Sequence, residues 1–288
     1  MERVLEAVAK ARPGRVYAFG DGPKPGEETA CRIAGETIRE KIGKITNLRI
    51  SQAPVNLGLR RRVETALDEV FLHEESAVIL EDDCVPADDF FPFMSQMLER
   101  WRNHPQVGAI TGTSFYDRRN PDSGSDYYFS RYPHCWGWGT WSRAWKFYDR
   151  AGRLWPTDLQ KLSLPLKKNL EGKYWEGIFE RTYSGQIDSW AYRWTLSCWS
   201  QGMLTVTPKV NLVQNVGTGV GATHTQDATG MEEIQETGTL PKILRHPERI
   251  QWNEAADQQT FRKHHAMGAK LPFWARLLRS LRKRGVLN

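Results

Sequence analysis

The sequence predicts an α/β fold: a mixed, mostly parallel sheet with helices on both faces. Three observations predict it. Strand-length apolar runs alternate with amphipathic helical runs through the first 80 residues. The run Ala77-Val78-Ile79-Leu80 has the length and composition of a strand buried on both faces, as parallel sheets have. It runs straight into three carboxylates, Glu81, Asp82 and Asp83, and the carboxyl ends of strands are where open α/β sheets bind ligands. At 288 residues the chain is long enough to bury a full core as one large domain.

The elements follow in order. Val4, Leu5 and Val8 make an opening amphipathic helix that Pro13-Gly14 ends. Residues 15–19 read as a strand closed by Gly20-Asp21-Gly22-Pro23, residues 27–41 as a helix, 45–51 as a strand and 59–73 as a helix. This β-α-β-α-β alternation calls for parallel strands with right-handed crossovers. Asp89 is placed to cap a helix over 90–103, whose Phe90, Phe93, Met94, Met97 and Trp101 share one core face. Residues 107–113 read as a strand, 171–184 as a helix and 202–207 as a strand. Residues 1–230 are expected to form the domain, and 231–288 a flexible segment followed by a basic amphipathic helix.

Three adjacent acids repel one another unless a cation offsets them. A hard divalent ion, Mg²⁺ or Mn²⁺, takes oxygen ligands and bridges to a diphosphate. The alternative is a solvated acidic turn. Val78-Ile79-Leu80-Glu81-Asp82-Asp83, with Pro86 and Asp89-Phe90-Phe91 after it, resembles the metal-binding segment of nucleotide-sugar glycosyltransferases of the Rossmann-type GT-A fold. The wording is similar to N-acetylglucosaminyltransferase I and to a group of bacterial sugar transferases. The resemblance covers residues 16–225 in ordered patches. It implies that Asp83 ligates the metal while Glu81 and Asp82 face the ribose and sugar of the donor. Such enzymes open with a strand that helps hold the base. This chain starts in the helix after it, so either the start lies upstream or that strand is absent.

Other stretches are candidates for the same site. Asp21 lies in a glycine turn at a strand end, where it would accept from a base or ribose; an ordinary β-turn is the other reading. Asn56, Gly58 and Arg61, within Asn56-Leu57-Gly58-Leu59-Arg60-Arg61-Arg62, put a glycine and guanidinium groups at a helix start, which suits a diphosphate. Trp136 and Trp138, within Trp136-Gly137-Trp138-Gly139-Thr140-Trp141, are similar to a hallmark of the bacterial group. That implies a wall for the donor sugar or acceptor, against the reading of an aromatic strand packed under a helix. Asp188 stands where a helix would start, a natural N-cap. The resemblance implies instead that it is the base that deprotonates the acceptor hydroxyl in an inverting transfer. His224, in Ala222-Thr223-His224-Thr225, is implied to complete the metal shell.

Composition sets the remaining bounds. The net charge of +6 is a tail property: residues 258–288 carry eight Lys or Arg and no acid, leaving 32 bases against 34 acids elsewhere. Nucleic-acid binding by the domain loses its support. Of 12 tryptophans most crowd between Trp136 and Trp199, and core packing accounts for the majority. Cys31, Cys84, Cys135 and Cys198 lack metal-site spacing and read as free thiols in a reducing compartment. With no signal peptide and no spanning run, a cytoplasmic protein is expected. Leu271, Phe273, Trp274, Leu277, Leu278 and Leu281 alternate with Arg276, Arg279, Arg282 and Lys283. That pattern suits the surface of an anionic membrane through 271–284, or a helix docked on the domain.

The expected function is metal-dependent transfer of a sugar from a nucleotide-diphosphate donor, a UDP-sugar first, to a hydroxyl on a glycan or lipid-linked acceptor. A non-catalytic nucleotide-sugar or carbohydrate-binding module is the first rival. A metal-dependent nucleotidyl or phosphoryl transferase is the second.

Overall fold

A computed structural model gives the architecture of residues 1–116, 124–157, 161–162, 169–217 and 236–265. Helix α1 (Glu2–Ala11) ends at Arg12 in the left-handed conformation, φ 49°. Strand β1 (Arg15–Gly20), helix α2 (Glu28–Ile42) and strand β2 (Asn47–Gln52) form a parallel β-α-β unit, Val16 opposite Leu48. Helix α3 (Leu59–Phe71) leads to β3 (Ser76–Ile79), and a turn carries the chain into β4 (Cys84–Pro86). Then come α4 (Phe90–Arg100), β5 (Val107–Thr111), β6 (Tyr127–Ser130), β7 (Trp138–Trp141), α5 (Ser142–Trp145), α6 (Leu170–Tyr183) and α7 (Trp190–Ser200). Strands β8 (Leu204–Pro208) and β9 (Val213–Asn215) follow, and α8 (Glu254–Thr260) runs on into a π-helical turn, Phe261–His265.

The class is α/β with helices on both faces, but the sheet is mixed rather than mostly parallel. Five strands run in the order β3-β7-β5-β8-β6, and within that sheet β5 and β8 alone are parallel. Strands β1 and β2 form a separate two-stranded sheet, and β4 pairs with β9 antiparallel. The alternation that predicted parallel strands covers residues 1–80, where helices separate the strands. Strand β7 follows β6 with no helix between and returns antiparallel between β3 and β5, so it reverses the sense of the sheet there.

Two apolar clusters sandwich this sheet. On one side α4 buries Phe90, Phe93, Met94 and Met97 with Trp101, Phe129 and Trp141. On the other, α6 and α7 bury Trp175, Phe179, Trp190, Trp194 and Trp199 with Trp138 and Trp145. Core packing thus accounts for most of the tryptophans. Glycines let α4 and the β9 segment lie against the strands: a Cβ on Gly137, φ 60°, would stand 2.6 Å from Val213 Cγ2 and 3.0 Å from Phe90 Cε2. Strands β5, β6, β7 and β8 are buried throughout. Strand β3, expected to be enclosed on both faces, is instead an edge strand whose four residues are half-buried. Strand β1 is likewise half-buried along most of its length.

Candidate functional site

The acids lie in the turn between β3 and β4, which Cys84 N closes on Glu81 O at 3.1 Å. Asp82 is exposed, while Glu81 and Asp83 are half-buried. Burial, then the neighbouring Asp83 and Asp82 charges, push Glu81 up to about 7. Strand β9 holds the turn from the other side. Cys84 pairs with Asn215, and Val216 N donates to Asp83 O at 2.9 Å. Gly217 follows, lying so close that a methyl group on it would overlap Asp83 Oδ2. Cys84 Sγ donates to Asp83 Oδ1 at 3.3 Å.

A second group gathers where β1 ends and α3 begins. Asp21 Oδ1 accepts from Gly22 N and Leu57 N at 2.8 Å, and Oδ2 from Gly58 N at 2.9 Å. Asn56 Nδ2 donates to Gly22 O at 2.9 Å. Asp21 and Asn56 therefore clamp the loop ahead of α3, and the backbone N–H groups expected to hold a diphosphate already hold a carboxylate. Gly58, φ 77°, turns the chain into the helix. Of the three arginines, Arg61 is exposed, whereas Arg62 is buried, bonding Ser51 O and lying over the Phe19 ring. Arg60 donates to Asp188 through Nε and to Glu64 Oε1 through Nη1 at 3.1 Å. Glu64 is buried and also accepts from Tyr148 Oη at 2.9 Å.

Asp188 is not the N-cap of α7. Ser189 is, its side chain accepting from Tyr192 N. Ser189 takes the capping position one residue later, and this leaves the Asp188 carboxylate outside the helix with its side chain 58% exposed. The start of α7 is anchored by Trp190, which stacks 5.3 Å from Trp138, the residue opposite Ile79 in the β3–β7 register. Glu81 follows Ile79 by two residues and Asp188 precedes Trp190 by two, so short segments tie both to one Ile79–Trp138–Trp190 column. Helix α3 packs on β1, β3 and α7 together. The structure brings Asp21, Asn56, Gly58, Arg60 and Asp188 into one group, and Glu81, Asp82, Asp83 and Gly217 into a second, tied to the first through that column.

Trp138 is 1% exposed and packs against Trp190, Trp145 and Trp194, so its ring is core rather than a ligand wall. Trp136 is partly exposed beside Phe115, and its carbonyl accepts from Thr113 Oγ1 at 2.7 Å. Asp89 stands at the N-cap position of α4, but its carboxylate accepts from Leu240 N at 2.9 Å. His224 and the basic segment 271–284 lie outside the described residues.

Among the described residues, no set of three or more His, Cys, Asp or Glu side chains is placed to enclose a metal ion. The acid turn fits the more open arrangement of a hard cation held by one or two carboxylates, with water and substrate phosphate completing its shell. Its donors are all oxygens, which suits Mg²⁺ or Mn²⁺. No helix among the described residues is long and apolar enough to cross a membrane.

Two clusters escaped the sequence reading. His134, His264 and His265 meet around Phe115 and Tyr132, with the Phe115 and His264 rings 3.8 Å apart. Burial lowers His134 to about 3 and the other two to about 4. Beside them Arg131 is buried with Glu171 and Asp257. Asp257 also accepts from Ser130 Oγ at 2.6 Å and Trp252 Nε1 at 2.7 Å. Burial raises Asp257 to about 6. The sequence signal for these clusters was the adjacent pair His264-His265; pairing across 40 residues, as Arg131 with Glu171, or 126, as Arg131 with Asp257, leaves no local pattern.

No protein-family model matches the chain, and no curated protein matches it either.

Proposed function

We propose that the chain is a metal-dependent glycosyltransferase of the GT-A type, moving a sugar from a nucleoside-diphosphate sugar to a hydroxyl acceptor with inversion. The observation that carries this reading is the pairing of the acid turn after β3 with an exposed carboxylate, Asp188, through the Ile79–Trp138–Trp190 column. In this reading Asp83 holds Mn²⁺ or Mg²⁺, and Glu81 and Asp82 face the donor. The cation supplies charge neutralisation of the leaving diphosphate. Asp188 takes the proton of the acceptor hydroxyl as its oxygen bonds the anomeric carbon and the diphosphate departs. A UDP-sugar is the first donor to test, and a glycan or lipid-linked glycan the acceptor class.

A thermal-shift panel of UDP-, GDP-, dTDP- and CMP-sugars, each with Mn²⁺ and with EDTA, tests it. One nucleotide should raise the melting temperature, the rise should vanish in EDTA, and Asp83→Ala should abolish it. No shift with any donor sinks the proposal. A binding module on the same fold is the second reading. It is favoured by the internal use of Asp21, Asn56 and the Leu57 and Gly58 amides. Donor binding without hydrolysis or transfer to any acceptor selects it.

A further inference from the structure

The three arginines at the head of α3 are not equivalent, and their differences point to a role for one. An anion arriving here meets a helix start whose Leu57 and Gly58 amides are taken by Asp21. Arg62 is turned inward onto Ser51 and Phe19. Arg61 is exposed. Arg60 alone joins a buried anchor to an exposed anion: Nη1 holds Glu64, which Tyr148 also fixes, and Nε holds Asp188. The guanidinium fork can keep its Glu64 bond while the rest of the fork changes partner.

We propose that Arg60 is a diphosphate-sensing positioning residue, held on Asp188 while the site is empty and drawn to the donor diphosphate when the site fills. This rests on the reading of the site given above. The consequence is an ordered reaction. Asp188 Oδ1 already accepts the Arg60 Nε–H, so while that pair holds, this oxygen is not open to an acceptor hydroxyl. Asp188 is thus restrained until a donor is present, then freed to take the acceptor proton. The pull strengthens as the glycosidic bond breaks, since negative charge builds on the departing diphosphate oxygen. Asp188 is more than half exposed, so its hold on Arg60 is screened and yields to a better-placed anion.

The test uses Mg²⁺ with inorganic pyrophosphate, which presents the diphosphate without choosing a base. In protein labelled with ¹⁵N-arginine, the Arg60 Nε–H resonance is assigned by its loss in Arg60→Lys. Asp188→Asn should shift that resonance in the empty protein. Mg²⁺-pyrophosphate should shift it in the wild type to the position it takes in liganded Asp188→Asn. Calorimetry should show pyrophosphate binding several-fold tighter to Asp188→Asn, because Arg60 no longer has a competing partner. In an Arg60→Gln background that gain should disappear, which separates competition for Arg60 from simple removal of a negative charge. Should Arg60→Gln fail to fold, with Glu64 left to Tyr148 alone, Arg60→Lys replaces it, keeping a cation on Glu64 but no fork. If pyrophosphate binds while the Arg60 resonance stays in place, the sensing role is overturned and the donor site stands. If millimolar Mg²⁺-pyrophosphate does not bind the wild type, both fall.

Discussion

Acidification tests how tightly the end of α8 is packed against the loop before β7. His134, His264 and His265 are held below their ordinary range, first of all by burial, at about 3, about 4 and about 4. Free histidine titrates near about 6.5. Between roughly pH 6.5 and pH 4 the unfolded chain therefore binds three protons that the folded protein refuses. Stability contributed by these groups rises with pH across that window and is lost on acidification. Two carboxyls oppose it. Asp257, raised to about 6, and Glu81, raised to about 7, hold protons in the fold that unfolded carboxyls release until about pH 4. Near pH 5 these five groups alone set three imidazoles against two carboxyls, a net of about one proton, or about 1.4 kcal/mol lost per pH unit lowered, and His246, which burial also lowers, acts in the same direction. Around the imidazoles stand Arg131, Glu171 and Asp257 from the adjoining elements, and Arg262 and Lys263 on their own turn. These charges are common to wild type and variant, so a difference measurement removes them. Replacing His134 and His265 together by Phe keeps ring-on-ring packing and leaves one imidazole against two carboxyls. The slope should change by about two protons, or about 2.7 kcal/mol per pH unit, in favour of the acid side. Urea unfolding at about pH 6 and about pH 5, in EDTA, reads this directly. Parallel stability curves for wild type and variant would refute the reasoning.

Three further outcomes follow from single contacts. Gly217→Ala places a methyl group on Asp83 Oδ2 and should weaken Mn²⁺-dependent nucleotide binding about tenfold, or about 1.4 kcal/mol, by calorimetry. Asp21→Ala leaves the Leu57 and Gly58 amides without their acceptor and should cost about 1–3 kcal/mol in urea unfolding, Asp21→Asn less. Arg131→Met strands Glu171 and Asp257 without their buried cation and should cost about 3–5 kcal/mol, read in the same assay.

The longer helices and most strands were legible because their period is local, whereas the short α5 and α8 were not expected. Helix α3 and strand β1 stand within two residues of their expected bounds, since Gly58 and Pro13-Gly14 mark them chemically. The order of strands was not legible. Strand β7 slips between β3 and β5 because Gly137 and Gly139 let its neighbours close in, and glycine spacing does not say what those neighbours are. The same ambiguity made Trp138 look like a sugar platform when its faces were owed to Trp190 and Trp194. At the site, the acid turn could be placed from strand length alone. The loop ahead of α3 could not: an aspartate 36 residues upstream occupies the amides that an isolated helix start would offer an anion. Choosing among Arg60, Arg61 and Arg62 likewise required knowing which side of α3 faces β1 and which faces Asp188.

Strands β1 and β3 are each paired on one side only among the described residues, and both lie beneath α3. Unpaired strand edges expose a row of N–H and C=O groups that another extended chain can continue. Natural edges are commonly guarded by charge, and here the guard is uneven. Arg15 begins β1, whereas Val16, Ala18, Phe19 and the whole of β3 carry none. Arg15 is itself tied to Glu74, so neither strand carries an unpaired charge of its own to turn another extended chain away.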